Sequence, residues 1–239
     1  MIVISRLKVF NGLDFRIVLK LEYINPDYRQ ALEKAGVLNE QAILNWDRGT
    51  RFVAKEWTDV FRCTIDGLGN VYVKRYFPPK NKLLGAFRTN NAVREYRSSA
   101  AMERIGIPQA EPVLAAAVYG GFGRVKCGIF IMREVENAVS LDKILEQCQD
   151  KADGKLLKPI ADELIRLLAV MHSAGFCHWD FKPRNLLVIQ QPNGVIIAPI
   201  DSRSGKRMCF LTRQACIKRD YKFLLAEPLL KPLILEAKH

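Results

Sequence analysis

Between residues 178 and 185 the chain reads His178-Trp179-Asp180-Phe181-Lys182-Pro183-Arg184-Asn185, and a further acid, Asp201, follows two short apolar runs. Oxygens of the Asn and Asp type suit a hard cation such as Mg²⁺, which takes oxygen ligands and keeps positions open for phosphates. A carboxylate placed like Asp180 can accept a proton from an attacking hydroxyl or orient it, and an ammonium such as Lys182 can neutralise charge on a phosphoryl group in transit. Asp180, Lys182, Asn185 and Asp201 together therefore describe phosphoryl transfer.

Such chemistry requires elements that bring the four groups to one place. Leu186-Leu-Val-Ile and Val195-Ile-Ile-Ala-Pro-Ile read as two short strands around the turn Gln190-Gln-Pro-Asn-Gly194. Closing that hairpin returns Asp201 to the end where Asn185 sits. Upstream, Ile160, Leu164, Leu167, Leu168 and Met171 recur at the spacing of one buried helix face, core positions that imply no cofactor. The helix stops near Gly175 and delivers the polar run as a loop, where catalytic groups tend to sit on a rigid scaffold.

The earlier chain has a different texture. Arg51-Phe-Val-Ala-Lys, Val60-Phe-Arg-Cys-Thr-Ile and Val71-Tyr-Val-Lys-Arg-Tyr are β-rich, and Asp66-Gly67-Leu68-Gly69-Asn70 between the last two is a strong hairpin signal. A basic loop (Pro78-Pro79-Lys80-Asn81-Lys82) leads to a helix around 92–102 closed by Gly106-Ile107-Pro108, then to strands over 110–119 and 127–132. The predicted order is β-β-β-α-β-β followed by mostly helix. Residues 1–48 carry mixed signals, apolar alternation in Leu19-Lys-Leu-Glu-Tyr and a helical piece after Pro26, and are read as an N-terminal extension.

Bulk properties bound the partners. With 239 residues, 49% of them hydrophobic, the chain can bury a sizeable core, and its net charge of +12 predicts an anionic partner. Six scattered cysteines without a C-x-x-C pair, and only three histidines, argue against a zinc site or a disulfide framework and for a reducing, cytoplasmic compartment. Charges interrupt the first apolar run too early for a secretory signal, and no stretch approaches the roughly 18 apolar residues of a spanning helix. No nucleic-acid recognition element accompanies the basic charge, so nucleic acid is not the expected partner.

The polar residues resemble the protein-kinase-like superfamily, whose catalytic loop has the form H-x-D-x-x-x-x-N followed by a metal-binding Asp after a hairpin. Here His178, Asp180, Asn185 and Asp201 match. The resemblance implies an α+β, two-lobe fold, with a β-rich N-lobe over 49–135 and a compact helical C-lobe over 136–239. It further implies that Lys74, in Val71-Tyr-Val-Lys74, holds donor phosphates, that Glu95 on the following helix fixes Lys74, and that Asn185 and Asp201 are the metal ligands. His178 would brace the loop as a buried imidazole bonded to backbone carbonyls.

Departures from the protein-kinase pattern narrow the branch. No G-x-G-x-x-G precedes Lys74; the corresponding turn is Lys55-Glu-Trp-Thr-Asp59, leaving phosphate cover to backbone amides or a side chain such as Thr58. Asp201 is followed by Ser-Arg-Ser-Gly, and too little chain remains for a peptide-binding lobe. From about Gly49 to Leu225 the sequence is similar to the lipopolysaccharide kinase (Kdo/WaaP) family. Val71-Tyr-Val-Lys-Arg-Tyr, Arg94-Glu-Tyr-Arg, Met132-Arg-Glu-Val, the run from His172 to Asn185, Ile200-Asp-Ser-Arg and Lys218-Arg-Asp-Tyr-Lys-Phe-Leu carry this similarity.

That resemblance implies an ATP- and Mg²⁺-dependent kinase whose acceptor is a heptose or Kdo hydroxyl of the lipopolysaccharide inner core. The cations Arg203, Lys206, Arg207, Arg213, Lys218, Arg219 and Lys222, set against Asp220 alone, fit a phosphorylated glycolipid in an anionic membrane surface, with the protein peripheral on the cytoplasmic face of the inner membrane. Two alternatives remain open at this level: a kinase acting on a protein or soluble metabolite, and a nucleotide-binding pseudokinase. The apolar tail from Phe223 is expected to pack on the C-lobe in preference to anchoring at an interface.

Overall fold

The computed structural model describes residues 2–4, 17–78, 90–150 and 154–237. The chain divides into two compact units, one of residues 1–96 and 111–134, the other of 97–110 and 135–239. Most of the basic loop expected after Pro78 lies outside the described residues.

The first unit is built on one antiparallel sheet. In chain order its elements are β1 (Ile2–Ile4), β2 (Val18–Ile24), the short helices α1 (Arg29–Lys34) and α2 (Glu40–Leu44), then β3 (Thr50–Lys55), β4 (Thr58–Ile65) and β5 (Gly69–Tyr76). Helix α3 (Asn91–Arg104) follows, its first residues belonging to this unit, and then β6 (Pro112–Tyr119) and β7 (Val125–Arg133). The strands lie in the order β1-β2-β6-β7-β5-β4-β3. The segment read as an extension thus supplies β2, which pairs with β6 from Val18↔Tyr119 to Ile24↔Leu114, and two helices. Leu32, Val37, Ile43 and Trp46 from that segment pack with Val71, Val73, Val113, Ile129 and Ile131 of the strands. The β4–β5 turn uses Gly67 and Gly69, both at positive φ (81° and 76°), a conformation that strains any residue with a Cβ.

The two-residue side-chain period of a strand sorts β5 into two faces. Val71 and Val73 enter the core just described, and Arg75 on the same face is bonded to Asp59 and to the carbonyls of Ile43 and Leu44. Lys74 and Tyr76 take the opposite face, where both reach Glu95 of α3. The start of α3 is fixed by Asn90, whose side chain accepts from Ala92 N–H at 2.8 Å and lies directly against Gly128 of β7. A Cβ at Gly128 would sit 1.7 Å from Asn90 Oδ1.

The second unit holds β8 (Ala138–Ser140), α4 (Leu141–Asp150), α5 (Leu157–Ser173), β9 (Phe176–Cys177), β10 (Leu186–Gln191), β11 (Gly194–Pro199), β12 (Lys206–Arg207), α6 (Arg213–Leu224) and α7 (Lys231–Glu236). Ile160, Leu164, Leu167, Leu168 and Met171 of α5 are fully buried, among Leu141, Leu186, Ile197 and Leu224. Leu230 and Ile234 join the same core, so the apolar tail packs inward on this unit.

Candidate active site

The loop from His178 to Asn185 is suspended between β9 and β10. Asn185 closes a short 3-10 turn, with its N–H on the Lys182 carbonyl at 2.8 Å. Strands β10 and β11 pair from Leu186↔Pro199 to Gln191↔Gly194, and just beyond the ladder Ile200 N–H donates to the Asn185 carbonyl at 2.8 Å. The hairpin register therefore sets Asp201 one residue past the partner of Asn185.

Both carboxylate oxygens of Asp180 are engaged. Lys182 Nζ lies 2.5 Å from Oδ1, and Asn185 Nδ2 donates to Oδ2 at 3.2 Å and to the Asp180 carbonyl at 2.9 Å. With its NH₂ spent on Asp180, the Asn185 amide presents its oxygen elsewhere, and that oxygen accepts no hydrogen bond from the described residues. Asp201 has φ 56° and ψ 45°, left-handed backbone that Asp tolerates better than most residues, and its carboxylate makes only a loose pair with Arg203 at 3.6 Å. One carboxylate and one amide oxygen, neither saturated by protein donors, form a donor set that fits a hard divalent cation with positions left over for phosphate. Among the described residues no cluster of three or more His, Cys, Asp or Glu side chains offers a rival metal site.

In the first unit, Lys74 Nζ meets Glu95 Oε1 at 2.6 Å, both side chains buried, and Tyr76 donates its hydroxyl to the other carboxylate oxygen. The Glu95 carboxylate is thereby fixed from both sides, and it fixes Lys74 in turn. Thr58, suggested from sequence as phosphate cover, opens β4 opposite Lys55 across a two-residue turn. Lys74 and Glu95 thus belong to the first unit, and His178, Asp180, Lys182, Asn185 and Asp201 to the second.

A residue whose role the sequence did not reveal organises the loop. Asp220 of α6 is wholly buried and accepts three hydrogen bonds: from His178 N–H at 3.2 Å, Trp179 N–H at 2.7 Å and His172 Nε2 at 3.1 Å. Trp179 has φ 70°, a strained conformation for a bulky residue that costs on the order of 1–3 kcal/mol. The two backbone bonds to Asp220 hold it there, and Arg219 Nε caps the Trp179 carbonyl at 3.2 Å. The β9–β12 ladder, Lys206↔Cys177 and Arg207↔Phe176, brings the basic segment alongside, with Lys206 Nζ 3.4 Å from the centre of the Trp179 ring.

The sequence matches the lipopolysaccharide kinase (Kdo/WaaP) family over residues 47–225, well over half of the chain. The chain belongs to that family. Kdo/WaaP members are kinases, so the protein is a phosphotransferase of the lipopolysaccharide kinase type. Its fold is similar to that of a solved structure described as WaaP in complex with acyl carrier protein, with a TM-score of 0.64 and 16% identity over 92% of this chain and 87% of the other. A BubR1 kinase domain structure aligns with a TM-score of 0.49 and 14% identity, covering 85% of this chain and 50% of that one. No curated protein matches the chain in sequence. The fold is α+β and protein-kinase-like. Among the described residues no helix is long and apolar enough to cross a membrane.

His178 of this Kdo/WaaP loop has a fully buried ring that meets Phe181 edge-on at 5.6 Å. Packing and the backbone bond to Asp220 hold it in the loop, and the Ile200 backbone lies within reach of the ring. Burial pushes the imidazole below its ordinary range, against the opposing pull of Asp220, Asp201 and Asp180. A buried neutral histidine must take up a proton on unfolding in acid, so stability is retained above about pH 6.5 and falls as pH drops below that value. Denaturant midpoints measured across that window should decline with a slope of up to about 1.4 kcal/mol per pH unit from this group. In His178→Phe the slope should be reduced; an unchanged slope would reject the assignment.

Proposed function

We propose that this Kdo/WaaP family member transfers the γ-phosphoryl group of ATP, with Mg²⁺, to a heptose or Kdo hydroxyl of the lipopolysaccharide inner core. The observation that carries the proposal is the two-sided clamp on Asp180. With Lys182 on one oxygen and Asn185 on the other, the carboxylate is held in a single orientation at a partly exposed position. In this reading Asp180 orients the acceptor hydroxyl and takes its proton, while the oxygen attacks the γ-phosphorus and the bond to the β-phosphate oxygen breaks. ADP leaves with that electron pair.

Lys182 sits where charge develops on the transferring group, and Lys74, fixed by Glu95, is assigned to the α- and β-phosphates. Asn185 and Asp201 would hold the metal. A bound Mg²⁺ would supply positive charge that neutralises the phosphates during transfer. His178 is a positioning residue.

The acceptor assignment draws support from the cations along Arg203–Lys222. Lys206 and Arg219 flank the Trp179 ring, and Arg219 and Lys222 flank Phe223, while Asp220, the only acid between Ser202 and Lys222, is turned inward and spent on the loop. The cations are then the only charged groups that the segment from Ser202 to Lys222 turns outward. It suits an acceptor carrying carboxylate or phosphate groups, presented from an anionic membrane on the cytoplasmic side.

Purified protein with labelled ATP and Mg²⁺ should add one phosphoryl group, read by intact mass, to a lipopolysaccharide-core acceptor and not to a generic protein or a neutral soluble sugar. Labelling of protein alone, or nucleotide binding with no transfer to any acceptor, would overturn the reading.

A further inference from the structure

Phe210 and Leu211 are 95% and 90% exposed, far more than the other large apolar residues on the surface. They ride on a 3-10 turn, Phe210–Thr212, immediately before α6. The turn is closed on itself: Thr212 N–H donates to the Cys209 carbonyl at 3.0 Å, and Cys209 N–H donates to Thr212 Oγ1 at 3.2 Å. These local bonds hold the two side chains outward.

Their surroundings are basic. Lys206 and Arg207 precede the turn, Arg213 and Lys218 follow it, all four are exposed, and no acidic residue occurs between Asp201 and Asp220. Around the tip the neighbours Thr212, Arg213 and Gln214 are polar and exposed. A protein-binding surface would need a contiguous apolar core within a rim, which a two-residue point does not provide. A lipid leaflet accepts isolated side chains by insertion while cations remain at the headgroups.

We infer that Phe210 and Leu211 form an insertion tip that seats this unit on an anionic lipid surface, with Lys206, Arg207, Arg213 and Lys218 contacting the headgroups. This deepens the reading of a membrane-held glycolipid acceptor and rests on it for its purpose, though not for its test. Asp220, which holds the catalytic loop, is two turns along α6 from the tip, about 10 Å.

The test uses the full chain with vesicles of phosphatidylcholine alone or mixed with phosphatidylglycerol. Cys209 is exposed, and its thiol is pulled below the ordinary range by the Thr212 hydroxyl, so it takes an environment-sensitive maleimide probe; a Cys209→Ser control reports labelling elsewhere. Binding should require phosphatidylglycerol and weaken with salt, and the probe should shift to the blue on binding. The double variant Phe210→Ser, Leu211→Ser should bind on the order of tenfold or more weakly and lose the blue shift, while phosphorylating a detergent-solubilised acceptor at the parent rate. Arg207→Gln with Arg213→Gln should also bind less and with a shallower salt dependence.

Equal vesicle affinity for the Ser variant, or a probe that stays in water when the parent is bound, would overturn the insertion. A probe that shifts only with an acidic soluble protein and never with vesicles would overturn the lipid assignment. Intact insertion with no transfer to any glycolipid would instead count against the acceptor proposed above.

Discussion

Asp201→Asn is expected to lower phosphoryl transfer on the order of a thousandfold, the scale of the several kcal/mol a bound cation contributes. Asn is the informative replacement because Asp201 stands at φ 56°, where Asn is tolerated and Ala would add about 1–2 kcal/mol of backbone strain. The variant keeps the fold and loses one negative charge at the proposed metal position. Its thermal unfolding should match the parent, while the Mg²⁺ concentration for half-maximal rate rises steeply. Asp180→Asn should fall by about 10²–10⁴ with metal and ATP dependence unchanged, since it removes a proton acceptor and not a ligand. Undiminished turnover in Asp201→Asn would end the assignment of Asn185 and Asp201 as a pair.

Asp220→Ala should be the most destabilising single change in the second unit. It strips the acceptor from His178 N–H, Trp179 N–H and His172 Nε2 at once and leaves the left-handed backbone of Trp179 held only by the Arg219 bond to its carbonyl and the Lys206 contact on its ring. Each buried donor left without its acceptor costs about 1–3 kcal/mol, so the loss is a large fraction of the 5–15 kcal/mol that holds a typical protein folded. Urea unfolding gives the stability, and amide exchange at His178 and Trp179 gives the local effect, which should be faster even where the remainder stays folded. A loss under about 1 kcal/mol with unaltered exchange at both amides would show that the loop is held by other means.

The site was legible in the sequence where position depends on short-range rules. The hairpin from Leu186 to Pro199 is closed by a local turn, so its register, and with it the approach of Asp201 to Asn185, follows from counting residues. Lys74 was reached differently, through the resemblance to the kinase-like superfamily, since a lone strand lysine reads as a solvated charge. Asp220 was not legible because its partners lie some forty residues upstream, and one acid within a basic run looks like dilution of surface charge. The left-handed backbone of Trp179 contradicts the preference of a large aromatic residue, so nothing local announces it. The alternation over 19–23 shows a strand but not its partner, since β6 arrives only after three further strands and three helices.

The close approach of Asn90 to Gly128 carries a consequence for the pair of Lys74 and Glu95. A methyl group there would evict the Asn90 side chain, uncap the first turn of α3 and let the carboxylate of Glu95 swing away from the ammonium of Lys74. A strand position with no side chain and no part in any reaction thus governs how firmly Glu95 holds Lys74, the residue proposed for the donor phosphates, and variation at it would look from outside like a defect in nucleotide recognition.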